Sequence, residues 1–200
     1  MTLRFSPRLA LAAGLVLTPA LAFAHPGGPH VHGLLDGFAH PLSGFDHLAA
    51  MVAVGLIAAN RGGRALWLVP ASFVGAMLLG AGLGMAGLAL PAVELGIAAS
   101  LVVFGLVLAL RLPLPTLAAM GLVAAFALFH GFAHGIEAPV GDSGFAYMAG
   151  FALATAALHG LGVALGCRLG GSADGFGRRA IRWGGMATSL LGVALAFNLA

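Results

Sequence analysis

The sequence contains very few charged residues, no lysine and a single cysteine. Charged residues make up 8% of the 200-residue chain, against about 25% in soluble globular proteins. The formal net charge of +3 comes from nine arginines and six acidic residues scattered along the chain, which excludes a basic surface for nucleic acid. The lone Cys167 excludes an internal disulfide, a CxxC redox pair and a thiolate zinc cluster. A Walker A sequence is also missing, which excludes ATP hydrolysis by that motif.

Hydrophobic residues dominate what is present. They account for 60% of the chain, and 32 residues are glycine, a composition typical of tightly packed membrane helices, in which small residues such as Gly162 and Gly166 let backbones approach. Apolar runs of about 20 residues are long enough to cross a bilayer. We therefore predict an all-α membrane bundle with six spans: Leu42–Asn60, Ala65–Met85, Pro91–Leu110, Leu114–His134, Ser143–Cys167 and Arg182–Leu199.

The first 24 residues have the pattern of a secretory signal peptide. Two arginines precede a short apolar run, Leu9–Leu21, and a small-x-small sequence ends at Ala24. Cleavage there would leave one transmembrane domain over residues 25–200, with residues 25–41 as a histidine-containing tail. The alternative is an uncleaved first membrane helix, for which the apolar run is short.

The arginines predict the orientation of the bundle. If the tail lies outside the cytoplasm, all the arginines of the mature chain lie in cytoplasmic loops, as the positive-inside rule requires: Arg61, Arg64, Arg111, Arg168, Arg178, Arg179 and Arg182. The acidic residues Asp36, Asp46, Glu94, Glu137 and Asp142 fall at the opposite side, and only Asp174 falls among the arginines. We expect a bacterial inner-membrane protein with both mature termini in the periplasm.

Histidines are placed at matching depths in two predicted spans. His47 follows Asp46 near the start of the first span, about 8 Å inside the helix if Pro41 begins it. His130 and His134 are four residues apart, and Glu137 lies three residues further along the same helical face. We expect the two helices to bring these groups together near the outer surface.

A divalent transition metal suits such a set of groups. An ionisable residue inside a span costs at least about 2.5–3.5 kcal/mol and normally faces a bundle interior or a water-filled path. Imidazole with carboxylate oxygen is a borderline donor set for nickel, cobalt, zinc or copper. The predicted ligands are His40, Asp46, His47, His130, His134, Glu137 and, near the bilayer midplane, His159; the predicted auxiliary groups are His25, His30, His32 and Met51.

Each of these side chains has a structural alternative. His47 could pair with the Asp46 carboxylate, His130 with a backbone carbonyl, and His159 with Thr155 one turn away. Met51 could simply fill the core.

Two motifs resemble those of the HupE/UreJ family of nickel/cobalt permeases: His40-Pro41-x-x-Gly44-x-Asp46-His47-x-x-x-Met51 and His130-Gly-Phe-x-His134-Gly-x-Glu137, followed by His159 in the next span. Members of this family are small bacterial inner-membrane proteins of about six helices, found with hydrogenase or urease genes and regarded as importers that feed nickel enzymes. The resemblance implies that His40, Asp46 and His47 form the transport motif, and that the second motif belongs to the same pathway.

The expected function is import of Ni²⁺ or Co²⁺ across the bilayer without chemical conversion, so we expect no enzymatic activity and no permanently bound cofactor. The alternatives are a b-type haem protein with histidines from different helices, a membrane di-iron oxygenase, and a structural accessory membrane protein. The sequence leaves the transported metal, proton coupling and the oligomeric state open, a homo-oligomer included.

Overall fold

The computed structural model describes residues 33–171 and 175–198, and this part of the chain is all-helical, as predicted. It contains seven helices: α1 (Gly33–Ser43), α2 (Phe45–Arg61), α3 (Ala65–Met85), α4 (Val93–Ala109), α5 (Thr116–Glu137), α6 (Asp142–Gly170) and α7 (Phe176–Asn198). The signal-peptide prediction, the tail histidines His25, His30 and His32, and Asp174 lie outside the described residues.

Four of the described helices are long and apolar enough to cross a membrane: α3, α5, α6 and α7. The pair α1 and α2 meets the same test only when taken together, and the two helices are bent by 86°. Helices α2 and α4 have 17 residues each, a rise of about 26 Å against a hydrocarbon core of about 30 Å. The described part of the chain is therefore a membrane-type helical bundle with four spans by length, or five with the bent pair, and the six spans that the apolar runs indicate stay a prediction.

Helix α1 was not expected. The predicted tail ended at residue 41, with Pro41 opening the first span, but Pro41 lies inside the last turns of α1 and the next helix begins at Phe45. Gly44 separates the two helices with an extended backbone, φ −105° and ψ 125°. His47 is consequently in the first turn of α2, about 3 Å from its start, and the predicted depth of 8 Å is wrong.

Glycines allow the helices to lie in direct backbone contact. A Cβ added at Gly37 would collide with the Tyr147 carbonyl, which shows how closely α1 lies against α6. The predicted close approach at Gly162 is confirmed, since a Cβ there would collide with the Val52 carbonyl of α2. Such contacts suit helices in lipid, where packing at small residues replaces the hydrophobic drive.

The same close packing joins α3 to α5 beside the two histidines of the second motif. A Cβ at Gly131 would collide with the Met77 carbonyl, and one at Gly135 with the Ala81 carbonyl. These two contacts are one helical turn apart on both helices, so α3 and α5 run parallel. The orientation of His130 and His134 is therefore tied to the position of α3.

Charge is divided between the two ends of the bundle. Arg61 and Arg168 lie in the last turns of α2 and α6, and Arg64 immediately precedes α3; we call this the arginine end. Asp46 and Asp142 lie in the first turns of α2 and α6, at the opposite end, which we call the histidine end. The predicted separation of arginines from acids is present in the described residues.

Candidate metal-binding site

Three histidines from three different helices meet at the histidine end. His40 of α1 lies with its ring centroid 4.8 Å from that of His134 on α5, and the His134 ring lies 4.7 Å from His47 of α2. The Nε2 atoms of His134 and His47 are 2.7 Å apart and share a hydrogen bond. The bend at Gly44 makes this possible, because it turns α1 so that His40 and His47 face the same helix.

Two carboxylates flank these rings. Glu137 places its Oε2 atom 3.3 Å from Nδ1 of His134 and 3.9 Å from Nε2 of His40. Asp46 places its Oδ1 atom 3.2 Å from Nδ1 of His47. One ligand atom each from His40, His134 and Glu137 lies within 4.8 Å of the others, a separation that a single bound cation could bridge.

His130 continues the cluster into the bundle. Its ring centroid is 5.4 Å from that of His47, so the predicted meeting of the first and second motifs occurs. The Ser100 hydroxyl of α4 donates its one hydrogen to the Ile97 carbonyl at 2.6 Å, so it accepts the hydrogen bond from Nε2 of His130 at 2.9 Å. The Nδ1 atom of neutral His130 is then unprotonated, and it is buried with no hydrogen-bond partner among the described residues.

His159 lies deeper, on α6, and its side chain is 1% exposed. Both ring nitrogens are buried without a hydrogen-bond partner in the described structure. The suggested bond to Thr155 does not form, because that hydroxyl donates to the Met77 sulfur at 3.7 Å. A buried imidazole with two unpaired nitrogens is costly, and this cost is consistent with a site that accepts a transient ligand.

Exposure is highest at the outermost of these groups and lowest at the innermost. The side chains of Glu137 and His40 are 48% and 39% exposed, whereas that of His134 is 4% exposed. His130 and His159 are fully buried or nearly so. The site therefore opens to solvent at the histidine end and leads inward.

Sequence reasoning missed the aromatic wall around the histidines. Phe151 of α6 lies 4.3 Å from His134 between ring centroids, and Tyr147, one turn earlier, lies 6.0 Å from His40. Ser100 was also missed. Tyr147 is the chain's sole tyrosine and Ser100 a lone hydroxyl in an apolar helix, and these were the available signals.

Met51 does not join the cluster through any described contact. Its side chain is completely buried and packs in the hydrophobic core, which is the core-filling role given above as the alternative to a ligand role. His47 does lie beside the Asp46 carboxylate, and this pairing fits a structural role as well as a ligand role. The structural alternative for His130 takes a different form, with a serine hydroxyl in place of a backbone carbonyl.

Comparison with known proteins identifies the family. The model of the HupE / UreJ protein family matches residues 13–195. This chain belongs to the HupE/UreJ family. It is also 44% identical over 193 residues to Protein HupE of Rhizobium leguminosarum bv. viciae, covering 96% of this chain and 98% of that protein. No solved structure matches.

The donor atoms of this HupE/UreJ chain define the chemistry that its site can perform. Imidazole nitrogen and carboxylate oxygen favour borderline divalent cations, and no thiolate is near them, since Cys167 lies in the last turns of α6 at the arginine end. If two imidazole nitrogens each lie about 2.1 Å from an ion and at right angles, they are about 3.0 Å apart. The 2.7 Å between Nε2 of His47 and Nε2 of His134 is close to that separation.

Proposed function

We propose that this protein is an inner-membrane permease that imports Ni²⁺ or Co²⁺ for the maturation of nickel enzymes such as hydrogenase or urease. The observation that carries the proposal is the convergence of His40, His47 and His134 with two carboxylates at one open end of an apolar helical bundle. Membership of the HupE/UreJ family supports it.

The cation enters at the most exposed ligands. His40, His134 and Glu137 replace part of its water shell, and water molecules keep the remaining coordination positions of the ion. The negative charge of Glu137 offsets part of the charge of the ion. His25, His30 and His32, if they form a flexible tail, raise the local metal concentration at this opening.

The next step passes through His47. Since Nε2 of His47 and Nε2 of His134 share one hydrogen, a cation that binds both nitrogens takes the place of that hydrogen. The proton moves to Nδ1 of the donating ring, which lies beside a carboxylate in either case, Asp46 for His47 and Glu137 for His134. Asp46, at 3.2 Å from the other ring nitrogen of His47, orients the imidazole and raises its basicity. The ion then reaches Nδ1 of His130, and afterwards His159.

Weak, sequential binding suits conduction better than a closed cage. A series of neutral imidazoles can exchange ligands one at a time, whereas a complete four-ligand site would hold the ion. The membrane potential, negative inside, is sufficient to drive a divalent cation inward. We propose no chemical conversion of the ion and no permanently bound cofactor.

The proposed topology has six passes, with the short helices α2 and α4 included. The arginine end faces the cytoplasm under the positive-inside rule, so the histidine end opens to the periplasm. A cleaved signal peptide, residues 1–24, would leave the mature N-terminus on that same side.

Haem ligation fits this arrangement poorly. An iron between two imidazoles on opposite faces needs their nitrogens about 4 Å apart, whereas those of His47 and His134 are 2.7 Å apart. The aromatic rings of Phe151 and Phe73 also occupy the space beside the cluster.

Uptake of radiolabelled Ni²⁺ by cells that express the chain tests the proposal, with unlabelled Co²⁺ as competitor. We expect uptake above that of cells with an empty vector, and its loss in His47→Ala at unchanged protein level in the membrane. The matched control is Ser72→Ala, which removes a hydroxyl bonded to the Val69 carbonyl and should transport normally. Equal uptake by wild type and His47→Ala would overturn the assignment of the site.

A further inference from the structure

Six aromatic rings form an unbroken series from the open end of the site into the bundle. Successive ring centroids are separated by 4.8 Å from His40 to His134, 4.7 Å to His47, 5.4 Å to His130, 5.8 Å to Phe73 and 5.0 Å to His159. Five of the six are imidazoles. The phenyl ring of Phe73 is the one member without a ligand atom.

Phe73 lies deeper in the bundle than His130. Counted from the histidine end of each helix, His130 is 7 residues from the end of α5, Phe73 is 12 from the end of α3, and His159 is 17 from the start of α6. Met77 and Thr155 are in contact, and Phe73 and His159 each lie one turn further into the bundle, so these two rings are at a similar level. The phenyl ring contacts the rings of both His130 and His159 and therefore connects the outer histidines to His159 in the series.

The side chain of Phe73 is closely packed in this conformation. Its side chain is completely buried and meets the His159 ring edge-on, with an 84° angle between the planes. One turn further along α3, the buried Met77 side chain meets Thr155, one turn from His159 on α6. Phenyl and thioether groups thus fill the contact between α3 and α6 at this level.

We propose that Phe73 is the gate of the permease, which closes the path between His130 and His159 in the structure described. The proposal rests on the proposed transport function. A phenyl ring has no atom that can replace the water ligands of a divalent cation, and an apolar constriction excludes water. Neither the bare ion nor the hydrated ion therefore passes the ring. Without the ring, the imidazoles would form a continuous path from one side to the other.

The helix contacts indicate how the gate opens. Phe73 moves with α3, which is locked to α5 at Gly131, whereas His159 moves with α6, which is locked to α2 at Gly162. A shift of the α3–α5 pair relative to the α2–α6 pair withdraws the phenyl ring from His159. The same shift carries His130 inward or outward together with the gate.

Accessibility of position 159 tests the gate without any metal. Cys167 is replaced by serine, His159→Cys supplies the single thiol, and a membrane-impermeant thiol reagent is added separately from each side, to spheroplasts and to inverted vesicles. We expect slow labelling from the histidine end while Phe73 is present. Phe73→Ala leaves space for water and should raise that rate by roughly tenfold or more.

Two controls keep the result specific. Phe104→Ala removes an equally buried phenyl ring that packs against Phe126, away from the series, and should leave labelling slow. If Phe73→Ala does not reach the membrane, Phe73→Val is used in its place, and we expect a smaller rise in the labelling rate. Unchanged labelling in both Phe73 variants, or equal acceleration by Phe104→Ala, would overturn the gate.

The gate and the proposed function fail in different ways. If the protein carries no metal, uptake is absent in every variant, while the labelling rates still report whether Phe73 closes the path. If Phe73 is not the gate, wild-type uptake persists and labelling does not respond to its removal.

Discussion

Replacing Ser100 by alanine tests whether a hydroxyl on α4 prepares His130 for the ion. The hydroxyl accepts the hydrogen bond from Nε2 of His130 at 2.9 Å while donating to Ile97. Both side chains are completely buried, so the alanine variant leaves a buried N–H without a partner. Such a loss costs about 1–3 kcal/mol.

That cost can appear in two measurable quantities. If the His130 ring stays in place, the variant loses stability and binds the ion as before. If the ring turns or moves its proton to Nδ1 to find another partner, binding must reverse that change, and the half-saturating metal concentration rises by up to roughly 140-fold for 3 kcal/mol. We expect the second outcome, because turning the ring or moving the proton avoids the cost of the unpaired N–H. A difference of about 1 kcal/mol then raises the half-saturating concentration roughly 5-fold.

The assay is uptake as a function of metal concentration, with thermal stability of the purified protein measured in parallel. Ser189→Ala is the matched control, since Ser189 also donates to a carbonyl of α4, that of Val102 at 2.8 Å, but has no described contact with a histidine. A Ser100→Ala protein with wild-type half-saturation would refute the idea that Ser100 positions His130.

Three further predictions concern charge, packing and topology. Asp46→Asn keeps the shape of the side chain but removes the negative charge beside His47, so uptake at low metal concentration should fall, and normal uptake would make the carboxylate structural. Gly131→Ala places a methyl group against the Met77 carbonyl and should destabilise the protein by about 1–3 kcal/mol, seen as a lower melting temperature in detergent. Gly121 is on the same helix, but a Cβ there would meet nothing within 4 Å, so Gly121→Ala should leave the melting temperature unchanged. A reporter fused after Ala200 should be active in the periplasm, and cytoplasmic activity would exclude six passes.

The sequence predicted the helices best where apolar runs have clear limits. Ala65–Met85 was predicted with the bounds that the structure has, because arginine and glycine precede the run and a glycine follows closely. Helix α1 was missed because its eleven residues include Pro41 and carry no long apolar run. It is held by Gly37 and Gly150 against α6, and a tertiary contact of this kind leaves no local pattern.

The candidate site could be predicted only in part for the same reason. His130, His134 and Glu137 lie on one face because helical periodicity alone places them there. The approach of His40 to His134 depends on the bend at Gly44, and the bond from His130 to Ser100 joins residues 30 positions apart. Only the packing of α4 and α1 against the other helices brings these partners together.

Transport by the purified chain alone is the most direct test of the proposed function. The protein is reconstituted into liposomes that contain a metal-sensitive fluorescent dye, and Ni²⁺ is added outside with the interior electrically negative. We predict a dye response with wild-type protein that saturates with metal concentration, and none with His134→Ala, which removes the imidazole shared by His40, His47 and Glu137. A response equal to that of protein-free liposomes, or one that His134→Ala leaves intact, would contradict a metal path through these histidines.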